Sequence, residues 1–210
     1  MPEFSSALTQ GQWTTIIVVY GASIIPSALL TLAYAMGKLP KWLFFGFIAA
    51  FVLCAAGWEI WFTYGLWDGL EVNARRPDAM NAAIPQDINW ILNSLADASA
   101  VCMGGLLLVW LILGRSNTMF ERWRWDAFFL LLVIYIGQNL YVELFIYHEQ
   151  LAMGYPMSWA PLVPTGPWFN PVLFEVSGRS VQLQSQISWL LMTPLFYGFL
   201  IYARRRWGDE

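Results

Sequence analysis

The sequence predicts an all-α integral membrane protein, a five-transmembrane-helix bundle, and three observations carry that expectation. Of 210 residues, 58% are hydrophobic and only 12% charged, with a mean hydropathy of +0.51. A soluble domain carries about a quarter charged residues. Five apolar segments each reach the roughly 20 residues that a helix needs to cross hydrocarbon. Between them, the basic residues gather in alternate connections, as in multi-pass proteins.

The first span covers 13–36. The stretch before it, MPEFSSALTQGQW, has no basic n-region, so this segment reads as a retained helix and a poor signal peptide. The second span, 42–67, and the third, 88–113, flank a connection at 68–87 that carries acids and the pair Arg75–Arg76. The fourth span covers 125–148 and the fifth 181–203. The connection between these two, 149–180, carries Pro156, Pro161, Pro164, Pro167 and Pro171 with Trp159 and Trp168. A loop of that length without periodicity is commonly a lid or binding loop, and a plain surface connector is the competing reading. Trp and Tyr at span ends read as interfacial anchors. With no repeat and no low-complexity tract, the chain reads as one domain over 1–210.

Lys38, Lys41, Arg115, Arg122, Arg124, Arg204, Arg205 and Arg206 share one side of the membrane, and Arg75, Arg76 and Arg179 fall on the other. The positive-inside rule then puts the N-terminus outside and the C-terminus in the cytoplasm. The membrane would be the endoplasmic reticulum in a eukaryote and the inner membrane in a bacterium. A net charge of −3 gives no basic surface for nucleic acid. Cys54 and Cys102 lie in apolar runs and read as small buried hydrophobes. The single histidine, His148, stands at a span end without a metal-ligand partner at standard spacing, so no metal is expected. Neither a serine–histidine–acid arrangement nor a phosphate- or dinucleotide-binding loop is present, and no cofactor is expected.

The candidate site rests on polar residues at one depth. The stretch GWEIWFTYGLWDG sets Glu59 among Trp58, Trp61 and Trp67, with no lysine or arginine near it in sequence. An ionisable side chain in hydrocarbon is costly and usually functional. Glu59 lies about eight residues from its span end, roughly 12 Å at 1.5 Å per residue, and Asp97 lies about as deep in the next span. On the third span Trp90, Asn93 and Asp97 follow i, i+3, i+7, which is one helix face. The fourth contributes Gln138, Tyr141 and Glu143. On the fifth, Gln182, Gln186, Trp189 and Thr193 follow i, i+4, i+7, i+11. These stripes either line a shared cavity or, for amides such as Gln138 and Gln182 and for Thr193, hold helices together.

Two carboxyl groups in an apolar pocket point to acid chemistry. Tryptophan and tyrosine faces attract a developing cation. Glu59 and Asp97 are therefore the candidate catalytic pair. Trp58, Trp61, Asn93, Gln138, Tyr141, Glu143, Gln186 and Trp189 are the candidate substrate-binding residues.

The same residues, in order, resemble the emopamil-binding protein family (the EXPERA superfamily), best known for the delta-8,delta-7 sterol isomerase. WEIWFTY is similar to its glutamate-bearing second helix, with Glu59 at the acid and Trp61 at a following tryptophan. DASAVCMGGLLLVW resembles the stretch that runs from an acid through a glycine to a tryptophan, here Asp97 and Trp110. LLVIYIGQNLYVELFIYHE resembles the glycine–glutamine helix, at Gly137–Gln138, ending at Glu149. QISWLLMTP resembles the last helix, with Gln186 and Trp189 at its substrate-contacting positions. The resemblance covers roughly the last three-quarters of the chain.

It implies a cofactor-free isomerase of a sterol-like substrate. Glu59 and Asp97 would share proton donation and removal, Trp189 would face the cation, and Gln186 would orient the acids or the substrate. Ala55 stands where the sterol isomerases have a histidine, the second acid is aspartate, and the amide is glutamine. Trp58–Glu59 is also similar to the membrane-bound meroterpenoid cyclases of fungi, so cyclisation or epoxide opening on a terpenoid stands beside isomerisation. The expected partners are a lipophilic isoprenoid substrate, membrane lipid and a possible second copy in a homodimer. The alternative is a non-catalytic protein that binds or moves sterols or lipophilic amines.

Overall fold

The structure, a computed structural model, describes residues 8–66, 69–152, 154–155, 157–159 and 170–208. Five helices in it are long and apolar enough to cross a membrane: α1, Gln10–Ala35; α2, Lys41–Tyr64; α3, Gln86–Ile112; α4, Trp125–Gln150; and α5, Leu183–Trp207. They are the helices of a multi-pass membrane protein, and all five spans read from hydropathy are present.

The helix starts follow local chemistry. Thr9 caps α1 by accepting from the Gln12 amide, and Gln12 reaches back to the Thr9 N–H in a capping box. Pro40 and Pro85 immediately precede α2 and α3, where a fixed φ suits the turn into a helix. The α2 end differs from the hydropathy reading. The helix stops at Tyr64, because Gly65 takes the left-handed conformation (φ 59°) and turns the chain back on itself. Trp67 and Asp68 lie outside the described residues.

The two long connections are not structureless. The first contains two short helical pieces, Val72–Arg75 and Asp78–Ala83. After α4, which runs on to Gln150, the chain makes an antiparallel hairpin of β1, Val172–Val176, and β2, Arg179–Gln182. Its turn, Ser177–Gly178, has positive φ at both residues (51° and 77°), as a two-residue hairpin turn requires. Val181 and Gln182 thus belong to a strand, and α5 begins at Leu183. The four prolines at 156, 161, 164 and 167, and Trp168, lie outside the described residues.

α5 is the central helix: half of its apolar stretch is buried, against 17% of that of α1. Its Trp189, Met192, Phe196 and Leu200 enter the main core with Ala50 and Cys54 of α2, Ala98 and Cys102 of α3 and Tyr135 of α4. Helices in lipid associate through close packing, and small residues permit it. Gly105 is such a point, since a Cβ there would stand 2.6 Å from the Tyr135 ring. α1 docks at the edge through Ile16 and Val19, packed with Met80, Ile84 and Leu92. Tyr20 donates to the Ala83 carbonyl (3.1 Å) and Thr15 to that of Ile146 (2.8 Å).

Three of the spans are locally unwound into π-helical turns, at Ala55–Glu59 of α2, Asp97–Met103 of α3 and Val142–Ile146 of α4. Each such turn holds one carboxyl residue at the depth of the polar layer: Glu59, Asp97 and Glu143. A π turn takes an extra residue and shifts the helix face beyond it, and such turns recur at functional sites.

Candidate functional site

The three π turns meet around one cavity, at the end of the bundle that carries the two long connections. Trp58 and Glu59 from α2, Asn93 and Asp97 from α3, Gln138 and Glu143 from α4, and Trp189 from α5 all line it. Its volume is about 70 Å³. The two candidate catalytic acids therefore share a site, and five of the eight expected contacts line it with them.

Each acid is held differently. Asp97 accepts from the Trp58 indole N–H at 2.9 Å. The Trp58 ring packs 5.4 Å from that of Trp189, which in turn packs 5.4 Å from Tyr135. Tyr135 donates to the Cys102 carbonyl (2.9 Å), so a chain of aromatic rings ties the Asp97 carboxyl to the core. Glu143 has both oxygens engaged: Oε1 accepts from the Trp159 indole (2.8 Å), and Oε2 accepts from Ser185 Oγ (3.1 Å) and Gln186 Nε2 (3.3 Å). Glu59 is 5% exposed, and its Oε2 is buried with no hydrogen-bond partner. A buried acceptor left open inside a cavity is a place for a ligand atom or water.

Gln186 stands behind the wall and positions Glu143, and Asn139 Nδ2 fixes its amide by donating to Gln186 Oε1 at 3.1 Å. Asn93 is fixed by the Tyr147 hydroxyl, which donates to Asn93 Oδ1 at 2.7 Å.

Several expected placements differ. Tyr141 is 57% exposed and faces away from the cavity. It lies two residues from Glu143, and such neighbours point to opposite sides of a helix. Trp61, two residues from Glu59, lines a separate apolar groove between α2 and α5. Trp90 donates to the Ala55 carbonyl (2.9 Å) and braces α3 against the α2 π turn. Gln182 accepts from Asn170 Nδ2 (2.9 Å) beside the hairpin, and Thr193 bonds back to the Trp189 carbonyl, so both serve packing. Glu149 is paired with Arg179 (2.8 Å).

Sequence reasoning misses the cation. Arg75, a loop charge by its place in the chain, is 4% exposed and lines the cavity beside Glu59. It donates to the Ser158 carbonyl (2.6 Å) and to the Phe62 carbonyl, and its Nε has no partner. Burial and the adjacent Arg76 guanidinium lower its pKa to about 10, while Glu59 acts in the opposite sense. It is a cation at neutral pH. Arg76, lowered to about 10 by burial, donates to Asn81 Oδ1 (3.1 Å), Asn89 Oδ1 (3.1 Å) and the Ile84 carbonyl (2.7 Å) and knits the connection onto α3.

Trp159 also escapes sequence reasoning as a site residue, although its loop has the length of a lid or binding loop. It is buried, lines the cavity and holds Glu143. Asn139 and Tyr147 are legible, since they lie at i−4 and i+4 from Glu143 on one helix face. Among the described residues, no group of three or more His, Cys, Asp or Glu side chains could hold a metal ion.

Comparison of the chain with protein-family models, with curated proteins and with solved structures gives no match. The fold and the site define a class, a multi-pass membrane protein with an acid-lined cavity walled in part by tryptophans.

Proposed function

We propose that the chain is an integral-membrane isomerase or cyclase acting on a sterol or terpenoid by acid protonation and carbocation rearrangement. One observation carries the reading: Glu59 and Asp97 line a single cavity together with the indole faces of Trp58 and Trp189. Glu59, with an open oxygen, is the proton donor. Its proton adds to an alkene carbon or an epoxide oxygen and leaves a carbocation, whose charge the indole faces stabilise. Loss of a proton from the rearranged cation to Asp97 closes the reaction with no net change in protons. The pair is reset when a proton passes back from Asp97 to Glu59. No cofactor enters this balance. The basic residues at one end of the bundle support an N-terminus outside and a C-terminus in the cytoplasm.

A second reading, non-catalytic binding or transport of a sterol or lipophilic amine, draws on the excess of acid among the cavity-lining residues. Glu59, Asp97 and Glu143 face one guanidinium, Arg75. Glu59→Gln and Asp97→Asn separate the two. Membranes bearing each variant are incubated with a panel of sterols and terpenoids, and the products are resolved by mass spectrometry. Either substitution is expected to lower turnover at least about 100-fold, the lower end for a positioned acid or base. Full turnover in either variant overturns the acid assignment, and ligand binding without product in the wild type supports the binding protein.

A further inference from the structure

A cavity of about 70 Å³ is too small for a lipophilic molecule, yet it has a larger neighbour. Between α2 and α5 runs an apolar groove of about 370 Å³, lined by Leu53, Gly57 and Trp61 on one side and Ile187, Ser188 and Leu191 on the other. Trp58 and Phe62 line both spaces. The groove is within the size range of small-molecule sites. It lies between two membrane-spanning helices, and Leu191 and Leu195 in its wall are exposed on the outer surface of the bundle. On the loop side, by contrast, polypeptide spans the cavity: Arg75 bonds the Ser158 carbonyl and Trp159 bonds Glu143.

The two volumes divide a ligand into parts. A water needs about 10–15 Å³ of such space, so the cavity takes a few waters' worth, a small head and not a sugar or a glycerophosphate. The groove takes an apolar body. Chemistry narrows the head further. Two buried atoms on the cavity residues have no partner, Glu59 Oε2 and Arg75 Nε, and among the described residues no ion pair joins them. A hydroxyl has one proton and two lone pairs, so it can accept from the guanidinium N–H and still pair with the Glu59 oxygen, donating to a carboxylate or accepting from a carboxylic acid. An ammonium can only donate to the oxygen, and a hydrocarbon satisfies neither.

We propose that groove and cavity form one site, reached sideways from the bilayer between α2 and α5. Its ligand is a lipid with an apolar body and a single small hydroxyl head, held between Glu59 and Arg75. This rests on the reading above only in taking the cavity as the place where ligand sits. Gly57 is the sensitive point of the groove, because a Cβ there meets nothing within 4 Å, so a larger side chain starts without a clash from a residue that lines the groove.

The test uses the full chain in nanodiscs and a long-chain primary alcohol carrying a mid-chain diazirine, with photolabelled peptides mapped by mass spectrometry. Label is expected on the α2 and α5 groove residues. Unlabelled alcohol is expected to compete about tenfold better than the alkane or amine of equal length. Gly57→Leu is expected to lower labelling about tenfold, whereas Val133→Leu, on a lipid-facing surface elsewhere, leaves it unchanged.

Cys54 and Cys102 are fully buried, so a Ser188→Cys thiol is the reactive one, and the alcohol is expected to protect it from a lipid-soluble maleimide. Equal competition by the alkane, label spread over all lipid-facing surfaces, undiminished labelling in Gly57→Leu, or no protection at 188 each overturns the proposal. None of these readouts needs turnover. Loss of acid dependence with labelling intact removes only the catalytic reading, and acid-dependent turnover without groove labelling removes only this one.

Discussion

Trp58 on α2 donates its indole N–H to Asp97 Oδ2 on α3 at 2.9 Å, and this bond joins two π-helical turns across the cavity. A hydrogen bond to a carboxyl group in a partly buried setting contributes about 1.5–3 kcal/mol when the group is ionised and about 1 when it is neutral. Trp58→Phe keeps the ring on Trp189 and deletes the bond. The expected result is a loss of about 1–3 kcal/mol, read as a lower unfolding temperature in detergent. An unchanged unfolding temperature would show that the bond contributes nothing to the pairing of α2 with α3.

Glu143 bonds the connection and α5 at once, through Trp159 on one oxygen and Ser185 with Gln186 on the other. Trp159→Phe removes one contact and is expected to cost about 1–2 kcal/mol. Glu143→Ala removes all three bonds and leaves the buried Trp159 indole N–H unpaired, while Ser185 keeps the Gln182 carbonyl and Gln186 keeps Ser185 Oγ. It is expected to cost more, about 2–4 kcal/mol, because an unpaired buried group keeps its desolvation penalty. Limited proteolysis within 151–182 should quicken in both variants. Equal stability of the two would refute the double role of Glu143.

Arg75 and Arg76 are both held at about 10, below the ordinary arginine value of 12.5, chiefly by burial. The unfolded chain therefore binds protons more tightly than the folded one between those values. Through that window stability rises with pH, and below it these two groups give no slope. The difference in unfolding temperature between the wild type and Arg75→Gln is expected to stay constant from about pH 6 to about pH 9. A slope within that range would mean that Arg75, or the Glu59 carboxyl its charge acts on, titrates there.

Gly65 ends α2 at φ 59°, and a Cβ on it would lie 2.3 Å from the Glu71 backbone nitrogen. Gly65→Ala combines a left-handed penalty of about 1–2 kcal/mol with a forced backbone shift. The backbone it would press on, Leu70 and Glu71, leads into the helical piece Val72–Arg75, so the shift moves the Arg75 guanidinium as well. Lower stability together with weaker alcohol labelling is the expected pair of results. A wild-type unfolding temperature would show that the turn relaxes without strain.

The acids are legible in the sequence because a carboxyl in an apolar span has few bland explanations. Glu59, Asp97 and Glu143 can be named, and their common depth comes from counting residues along straight helices. Facing is less secure. Tyr141 and Trp61 share the depth of the cavity but lie two residues from an acid, which turns them to other sides of their helices. The π turns change facing again, since an extra residue in a turn rotates the rest of the helix, and nothing in the hydropathy marks them. Arg75 and Trp159 come from connections whose paths depend on long-range bonds, Ala152 N–H to the Arg75 carbonyl among them.

The sequence by itself determined the five spans and the polar layer within them, because both follow from the cost of putting a residue in hydrocarbon. Tertiary structure decided which polar groups meet, that a guanidinium from a connection joins them, and that an apolar groove adjoins the cavity. Those are properties of how helices rotate and pack against one another. That rotation is set by contacts far apart in the chain, so no stretch of sequence records it.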